Sequence, residues 1–356
     1  MKIIHTADLH LDSKMETYLT KEKAKERKLE VRFAFQRLVE YASENNVQVI
    51  IISGDMFDTK NIISSTKNFV LNLIGKYSNI DFLVLKGNHD EYEFEKSECP
   101  PNLKFFANEF VYYNYGNVSI SGLNLNKYYL PNNFDLLSFD ANRINILCLH
   151  GQASNFFSEN IDYCIPLNAL KNKNIDYLAL GHIHSFESGN VDNRTIFAYS
   201  GILEPRGFDE CGQKGFIELD INDHISCRFV PFAKRCFEHI KVDISNASSA
   251  NDIQQLIFSC MQNVSSENLI KVELVGEFDL NLDKDLDYLE KVLNERFYFA
   301  KVIDNSTIKV DYERLKLDVS LKGEFVNTVL NSNDLTNEDK TKIITYGIKA
   351  LTKGEI

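Results

Sequence analysis

The sequence lacks any long apolar segment that could cross a membrane. No stretch of its 356 residues approaches the ~20 apolar residues that a membrane-spanning helix needs. The opening residues, MKIIH, contain one lysine and then turn polar, so the apolar core of a signal peptide is missing as well. We therefore expect a cytoplasmic protein that does not associate with membranes.

Paired cysteines are missing too. The chain has seven cysteines, an odd number, and none of them forms a C-x-x-C pair. This pattern disfavours both a disulfide framework and a cysteine zinc site. We expect seven reduced thiols, most of them acting as small core hydrophobes.

Positive charge is scarce, with 39 Lys and Arg against 51 Asp and Glu and a net charge of −12. Because DNA affinity comes largely from neutralising phosphates, such a chain is a poor duplex binder at long range. Bound metal ions or a partner protein could supply the missing charge. A local basic run does occur from Lys14 to Arg37, with eight Lys and Arg against four Glu. It could follow a phosphate backbone or be a solvated helix face.

Apolar runs alternate along the chain with segments of helical spacing. Hydrophobic residues make up 44%, enough for a core, and the length suits two domains better than one. The alternation predicts an α/β layered domain, and three later strands look like antiparallel additions. The predicted strands are 2–6, 47–52, 81–86, 144–149, 177–180 and 196–199, the helices are 23–43 and 66–77, and the additions are 118–121, 215–220 and 225–230.

The composition shifts near residues 232–236. Beyond this point, alternating strands and helices predict a small separate α/β domain. Two helices are predicted in the tail, over 314–330 and 336–351, the second opened by a capping box at Thr336. We therefore divide the chain into a main domain (1–232), a small α/β domain (233–308) and a helical tail (309–356).

Side chains that bind metals cluster directly after five apolar runs. Functional groups in open α/β sheets gather outside the carboxyl ends of the strands, and side chains at i and i+2 of an extended segment point the same way. Each cluster alone is more often an ordinary loop, but five in this order predict one common site. The clusters are Asp8-Leu9-His10, Gly54-Asp55-Met56-Phe57-Asp58, Gly87-Asn88-His89-Asp90, His150-Gly151 and Gly181-His182-Ile183-His184.

The ligand types in these clusters are carboxylate, amide oxygen and imidazole, without cysteine. This mixture favours Mn²⁺, with Fe²⁺, Zn²⁺ and Mg²⁺ as alternatives. Two such cations ~3.5–4 Å apart would clamp the attacking and leaving oxygens of a phosphoryl displacement. The sequence thus predicts a centre with two divalent metal ions.

The ordered motifs D-x-H, G-D, G-N-H-D, H-G and G-H-x-H resemble those of the calcineurin-like metallophosphoesterases, over residues 2–220. The flanks at 5–13 and 199–215 are similar to the SbcD/YhaO branch of bacterial DNA repair exonucleases. This resemblance implies an α/β fold: a four-layer sandwich of two mixed β-sheets flanked by helices. A smaller α/β cap domain and C-terminal helices would follow.

The resemblance also implies roles for individual residues. His89 would be catalytic, protonating the leaving 3′ oxygen or stabilising the transition state, and Asp90 would orient it. Some relatives have a phosphate-contacting histidine where this chain has Asp58, so that contact is not implied here. The implied ligands are Asp8, His10, Asp55 and His184 for one metal, and Asp55, Asn88, His150 and His182 for the other.

The implied activity is Mn²⁺-dependent hydrolysis of DNA by an exonuclease. Additional endonuclease activity is left open. The small domain would face DNA, the protein would form a homodimer, and the tail would either dock an SMC-type coiled-coil ATPase or pack on its own domain. Two other readings stay open. One is a metallophosphoesterase that acts on a small-molecule phosphodiester or a phosphoprotein, and the other is a non-catalytic scaffold for an ATPase.

Overall fold

The computed structural model describes residues 1–15, 19–58, 62–91, 94–125, 134, 137–279, 282–309 and 319–353. The chain forms two compact units, Met1–Phe237 and Glu238–Ile356. Within the described ranges, no helix is both long enough and apolar enough to span a bilayer. The seven cysteines are free thiols, but only Cys148 and Cys164 are buried. The expectation that most cysteines lie in the core was therefore wrong.

The first unit contains two six-stranded mixed sheets. The strands of this unit are β1 Lys2–Thr6, β2 Val49–Ser53, β3 Asp81–Leu85, β4 Leu103–Phe105, β5 Val111–Tyr115, β6 Val118–Gly122, β7 Ile144–His150, β8 Gln152–Ser154, β9 Cys164–Pro166, β10 Tyr177–Gly181, β11 Glu187–Asn190, β12 Ile196–Tyr199, β13 Gly215–Ile221 and β14 Ile225–Pro231. The first sheet has the order β14-β13-β1-β2-β3-β4, and the second has the order β11-β12-β10-β7-β6-β5.

The central strand β2 shows why the sheets stack. Its side chains alternate between the two faces, and all five residues are buried, as in parallel strands that are covered on both sides. Ile50 and Ile52 pack against helices α1 (Lys21–Glu44) and α2 (Ser64–Lys76). Val49 and Ile51 face the second sheet. The apolar residues of β2 therefore join one helical layer to the core between the sheets.

The far face of the second sheet has its own apolar cluster. Leu147 and Leu149 of β7 pack there with Leu178 and Leu180 of β10, against the segment that contains the 3₁₀ helix Leu167–Leu170. The two sheets are thus enclosed between covering layers, as predicted for a four-layer α/β sandwich.

The predicted antiparallel additions are correct for β13 and β14, which pair antiparallel with each other, while β13 is antiparallel to β1. For β6 the prediction is only half correct. This strand pairs antiparallel with β5, as expected, but parallel with β7. The long connection between β6 and β7 allows this parallel return.

The second unit contains a three-stranded sheet formed by β15 (Phe237–Asp243), β16 (Leu269–Val275) and β18 (Phe299–Asp304). The strand order is β15-β16-β18, and β16 and β18 are parallel. Two helices, α3 (Ala250–Cys260) and α4 (Leu286–Arg296), pack on this sheet through Ile253, Ile257, Leu289 and Leu293. The Thr336 hydroxyl accepts a hydrogen bond from the Asp339 amide (3.2 Å), so the predicted cap is present. The predicted start of the first tail helix falls among residues 310–318, outside the described residues. The remaining elements are β17 Glu277–Phe278, β19 Thr307–Ile308, α5 Leu321–Leu330 and α6 Asn337–Lys353.

Candidate metal centre

The loops that follow β1 and β2 run together at the carboxyl ends of these strands. The amide of Asp8 donates to the carbonyl of Gly54 (3.0 Å), and the amide of His10 donates to the carbonyl of Asp55 (3.0 Å). Asp8, His10 and Asp55 all have positive φ, at 51°, 43° and 51°. Non-glycine residues rarely adopt this conformation, and residues held in it cluster at active sites and ligand-binding sites.

Close backbone approach joins these loops to the second sheet. A Cβ atom at Gly54 would lie 2.2 Å from Nδ1 of His150, so only glycine lets that ring reach its place. The amide of His182 donates to both carboxylate oxygens of Asp8, at 3.0 Å each. The ends of β7 and β10 are thereby fixed against the ends of β1 and β2.

One half of the centre contains two imidazoles that face each other. Ligand atoms of Asp8, His10 and His184 all lie within 4.8 Å of one another. Nε2 of His10 is 3.1 Å from Nε2 of His184. On the far side of each ring, Nδ1 of His10 lies 3.0 Å from Asp58 Oδ1, and Nδ1 of His184 lies 2.6 Å from Glu210 Oε1.

The other half is built around Asp55 and His150. Ligand atoms of Asp8, Asp55 and His150 form a second group within 4.8 Å. Nε2 of His150 lies 2.9 Å from Asn88 Oδ1 and 3.3 Å from Asp55 Oδ2. Nδ1 of His182 is 3.1 Å from the same Asn88 oxygen. The structure therefore brings all seven predicted ligands together.

The hydrogen bonds on the far sides of the rings test whether these residues fit a metal. Nδ1 of His150 donates to the carbonyl of Ser53 (2.8 Å), and the carboxylates beside His10 and His184 likewise call for protons on Nδ1. When these rings are neutral, Nε2 of each of the three histidines carries a lone pair instead of a proton. These lone pairs face other acceptor atoms: Nε2 of His10 and Nε2 of His184 face each other, and Nε2 of His150 faces oxygens of Asn88 and Asp55. A cation between them would turn each repulsive contact into a bond, so the donor set fits two metal ions.

In the metal-free protein, the close packing of carboxylates and imidazoles shifts the pKa values of several ligands. Burial acts to lower the pKa of His150, but the hydrogen bond to Asp55 and the charges of Asp8 and Asp55 outweigh it and raise that pKa to about 9. Burial opposes ionisation of Asp55 as well, yet His150 and His10 hold its pKa well below the usual range. Burial, with the charge of His150, lowers the pKa of His182 to about 4. The carboxylates of Asp8 and Asp55 thus favour a positive charge on the neighbouring imidazole of His150 in the metal-free protein.

His89 lies at the exposed edge of the centre, with 48% of its side chain accessible. Its amide donates to Asp55 Oδ1 (2.9 Å), and its ring packs edge-on against that of His10, with centroids 5.3 Å apart. Nδ1 of His89 lies 3.9 Å from Asp58 Oδ1. The imidazole is therefore held near the ligands while remaining open to solvent.

Asp90 has a different environment from the one expected for an orienting group of His89. Its carboxylate accepts hydrogen bonds from the amides of Met56 (3.1 Å), Phe57 (3.0 Å) and Gly87 (3.0 Å). Burial, assisted by the nearby charge of Asp55, raises the pKa of Asp90 to about 6 in spite of these amides. The hydrogen bonds of Asp90 therefore connect the loop after β3 to the loop after β2. The carboxylate that faces the His89 ring is that of Asp58.

Sequence reasoning assigned no role to Arg206 or Glu210. Both belong to a segment noted only for its family resemblance, and no spacing rule links Glu210 to His184. The burial of Glu210 is outweighed by its contacts with His184 and Arg206, which lower its pKa to about 2. A buried anion therefore lies directly behind one predicted ligand.

Several side chains of the basic run from Lys14 to Arg37 are bonded to other parts of the protein. Arg27 is fully buried and bonds to Glu30 and to the carbonyl of Pro205, and Arg37 pairs with Glu204 at 2.8 Å. Arg32 bonds to Thr66. These three arginines therefore make contacts within the protein, while Lys21, Lys25 and Lys28 of the same run remain exposed.

Residues 1–186 match the model of the calcineurin-like phosphoesterase family. The chain belongs to this family, whose members use a dimetal centre. It is 28% identical over 339 residues to the uncharacterized metallophosphoesterase YhaO of Bacillus subtilis, covering 86% of this chain and 82% of that protein. It is 24% identical over 386 residues to the DNA double-strand break repair protein Mre11 of Saccharolobus solfataricus, covering 100% and 96%. For Mre11 of Sulfolobus acidocaldarius the identity is 22% over 371 residues, covering 97% and 94%. The expected resemblance to the YhaO type agrees with these relatives.

Proposed function

We propose that this metallophosphoesterase is a DNA exonuclease with two Mn²⁺ ions, acting in DNA repair. The observation that carries the proposal is the full-length similarity to a DNA double-strand break repair protein, which covers 100% of this chain and 96% of the relative. The similarity extends through the second unit, which a hydrolase of small substrates does not need. Endonuclease activity is part of the same proposal.

The residues of the centre divide into two overlapping sets. When bound, the two ions would activate a water molecule and stabilise the charge that develops on the phosphate. Asp55 would contact both ions because its carboxylate lies between the halves. The proposed ligands are Asp8, His10, Asp55 and His184 in the first set, and Asp55, Asn88, His150 and His182 in the second.

His89 is proposed as the catalytic residue that donates a proton to the leaving oxygen. Its ring is accessible, and the Asp58 carboxylate faces its Nδ1. Burial opposes ionisation of Asp58, but His10 and Arg206 lower its pKa, so it stays anionic at neutral pH. Asp58 can therefore orient the imidazole, the task first expected of Asp90.

The further partners are proposals as well. The small α/β domain (233–308) would face DNA, and the tail (309–356) would dock an SMC-type ATPase. Exposed apolar side chains on the tail helices support docking, since 68% of Leu321 and 72% of Tyr346 are accessible. A homodimer in the cytoplasm would complete the assembly.

Incubation of the full chain with Mn²⁺ and end-labelled linear DNA tests the activity. We expect stepwise shortening from an end by the wild type, and none by Asp55→Asn or in EDTA. Intact DNA after incubation with the metal-loaded wild type would refute the proposal.

A second candidate is hydrolysis of a small phosphodiester or of a phosphoprotein by the same centre. The net charge of −12 favours it, because an acidic surface repels DNA. Bis-p-nitrophenyl phosphate, cyclic nucleotides, a phosphopeptide and DNA can be compared as substrates at equal metal loading. A kcat/KM for DNA below those of the small substrates would favour this candidate.

A further inference from the structure

The two halves of the metal centre differ in what supports their imidazoles. In the first half, Nδ1 of His10 is backed by the Asp58 carboxylate at 3.0 Å and Nδ1 of His184 by the Glu210 carboxylate at 2.6 Å. In the second half, Nδ1 of His150 is backed by the neutral carbonyl of Ser53 at 2.8 Å. Among the described residues, a carboxylate within hydrogen-bond distance of Nδ1 is thus found for the two imidazoles of the first half, whereas for His150 the nearest carboxylate to Nδ1, that of Asp8, is 3.9 Å away.

Arg206 connects the two supporting carboxylates. Its Nη1 lies 3.5 Å from Asp58 Oδ1, and its Nη2 lies 2.9 Å from Glu210 Oε1. Its backbone amide also donates to Glu210 Oε2 at 2.6 Å. Glu210 is 5% exposed, so this side chain has little freedom to move. One guanidinium therefore contacts both carboxylates and, through Nη2, also Nδ1 of His184 at 3.2 Å, while each carboxylate contacts one imidazole.

A carboxylate behind an imidazole fixes the ring and makes it a stronger donor to a metal, and losing such a partner typically weakens metal affinity by about 10–100-fold. A neutral carbonyl fixes the ring but polarises it less. The trio of two carboxylates and one guanidinium keeps a net charge of −1, which also favours a cation. The first half should consequently bind its ion more tightly than the second.

We propose that Asp58, Glu210 and Arg206 make the first metal position, at His10 and His184, the tighter of the two. Asp58 and Glu210 are positioning residues for the two imidazoles, and Arg206 ties them together. The inference rests on the dimetal centre of the proposed function, but not on DNA as its substrate.

Titration of the metal-free full chain with Mn²⁺ tests this inference, using calorimetry together with electron paramagnetic resonance of the free ion. The wild type should bind two ions in two steps whose dissociation constants differ by about 10-fold or more. Glu210→Gln, which preserves the side-chain shape, should weaken the tighter step by about 10–100-fold and leave the weaker step unchanged. Asp58→Asn, at a partly exposed position, should act on the same step.

Asp209→Asn is the matched control, because it makes the same charge change one residue away at an exposed position. It should leave both steps unchanged. Arg206→Lys keeps the charge but cannot bridge two carboxylates, so it should weaken the tighter step too. Thermal melting of each metal-free variant separates loss of binding from loss of folding.

Two equal binding steps in the wild type would overturn the inference. So would equal weakening of both steps by Glu210→Gln, or the same result for Glu210→Gln and Asp209→Asn. A wild type that binds no Mn²⁺ would remove the proposed function together with the inference. Two unequal sites without DNA cleavage would leave the inference standing and remove only the nuclease.

Discussion

Nε2 of His10 lies 3.1 Å from Nε2 of His184, although the two residues are 174 positions apart in the chain. Both rings have a carboxylate within hydrogen-bond distance of Nδ1, so when both rings are neutral and carry their proton on Nδ1, their Nε2 lone pairs face each other across this gap. Such a contact is unfavourable in a neutral protein and favourable around a cation. The local geometry of these two side chains is thus the clearest physical argument for a metal in this fold.

Replacing His89 by alanine should reduce phosphodiester hydrolysis by about 10²–10⁴-fold, because the leaving oxygen loses its proton donor. Mn²⁺ binding should be unchanged, since the side chain of His89 is not among the proposed ligands. The measurement is single-turnover cleavage at saturating Mn²⁺, alongside a metal titration. His224→Ala, at an exposed position, is the control. A variant with wild-type rates would show that His89 has no part in the reaction.

Asp90→Asn should reduce the stability of the metal-free protein by about 1–3 kcal/mol, because an amide cannot accept from all three backbone donors and leaves at least one unsatisfied. Urea unfolding in EDTA measures this free energy. The exposed Asp223→Asn supplies a variant with the same charge change. Unaltered stability combined with lost activity would return Asp90 to the orienting role first expected of it.

Metal binding should release a proton near neutral pH. His150 has its pKa raised from 6.5 to about 9, so it is protonated at pH 7.5 and must lose that proton to become a ligand. The stabilisation that this raised pKa gives the metal-free protein is complete below pH 6.5 and is lost as the pH rises through about 9. Calorimetry in buffers of different ionisation enthalpy counts the released protons. Zero release between pH 7 and 8 would contradict the assignment.

Arg27→Met should destabilise the first unit by about 3–5 kcal/mol, because it leaves buried carboxylate charge with fewer partners. Arg27 is 0% exposed and lies 3.6 Å from Glu204 as well as bonding to Glu30. The neighbouring Lys28 is exposed, so Lys28→Met should change stability little. Equal unfolding free energies for the two variants would show that the buried pairs contribute nothing.

Much of the first unit could be predicted because its strands carry a strong local signal. The β-branched run ending at Ile52 is short and typical of a buried parallel strand, and metal-binding side chains are expected directly after the carboxyl ends of such strands. Strand order and the direction of β6 could not be predicted, because they depend on which strands meet in space.

The roles of Asp90 and Glu210 show where sequence proximity misleads. Asp90 follows His89 in the chain, yet its carboxylate turns back to the amide of Gly87 and to the loop after β2. Glu210 is 26 residues from His184 and still contacts its ring. Adjacent residues in the chain can point their side chains to different sides, and distant residues can point theirs to the same place. Side-chain orientation therefore had to come from the folded structure.

The most direct test of the metal centre is anomalous diffraction from crystals of the full chain soaked in Mn²⁺. We predict two manganese peaks ~3.5–4 Å apart, with the Asp55 carboxylate between them, His10 and His184 on one ion, and His150 on the other. No peak in this pocket, or a single ion that does not contact Asp55, would contradict the account.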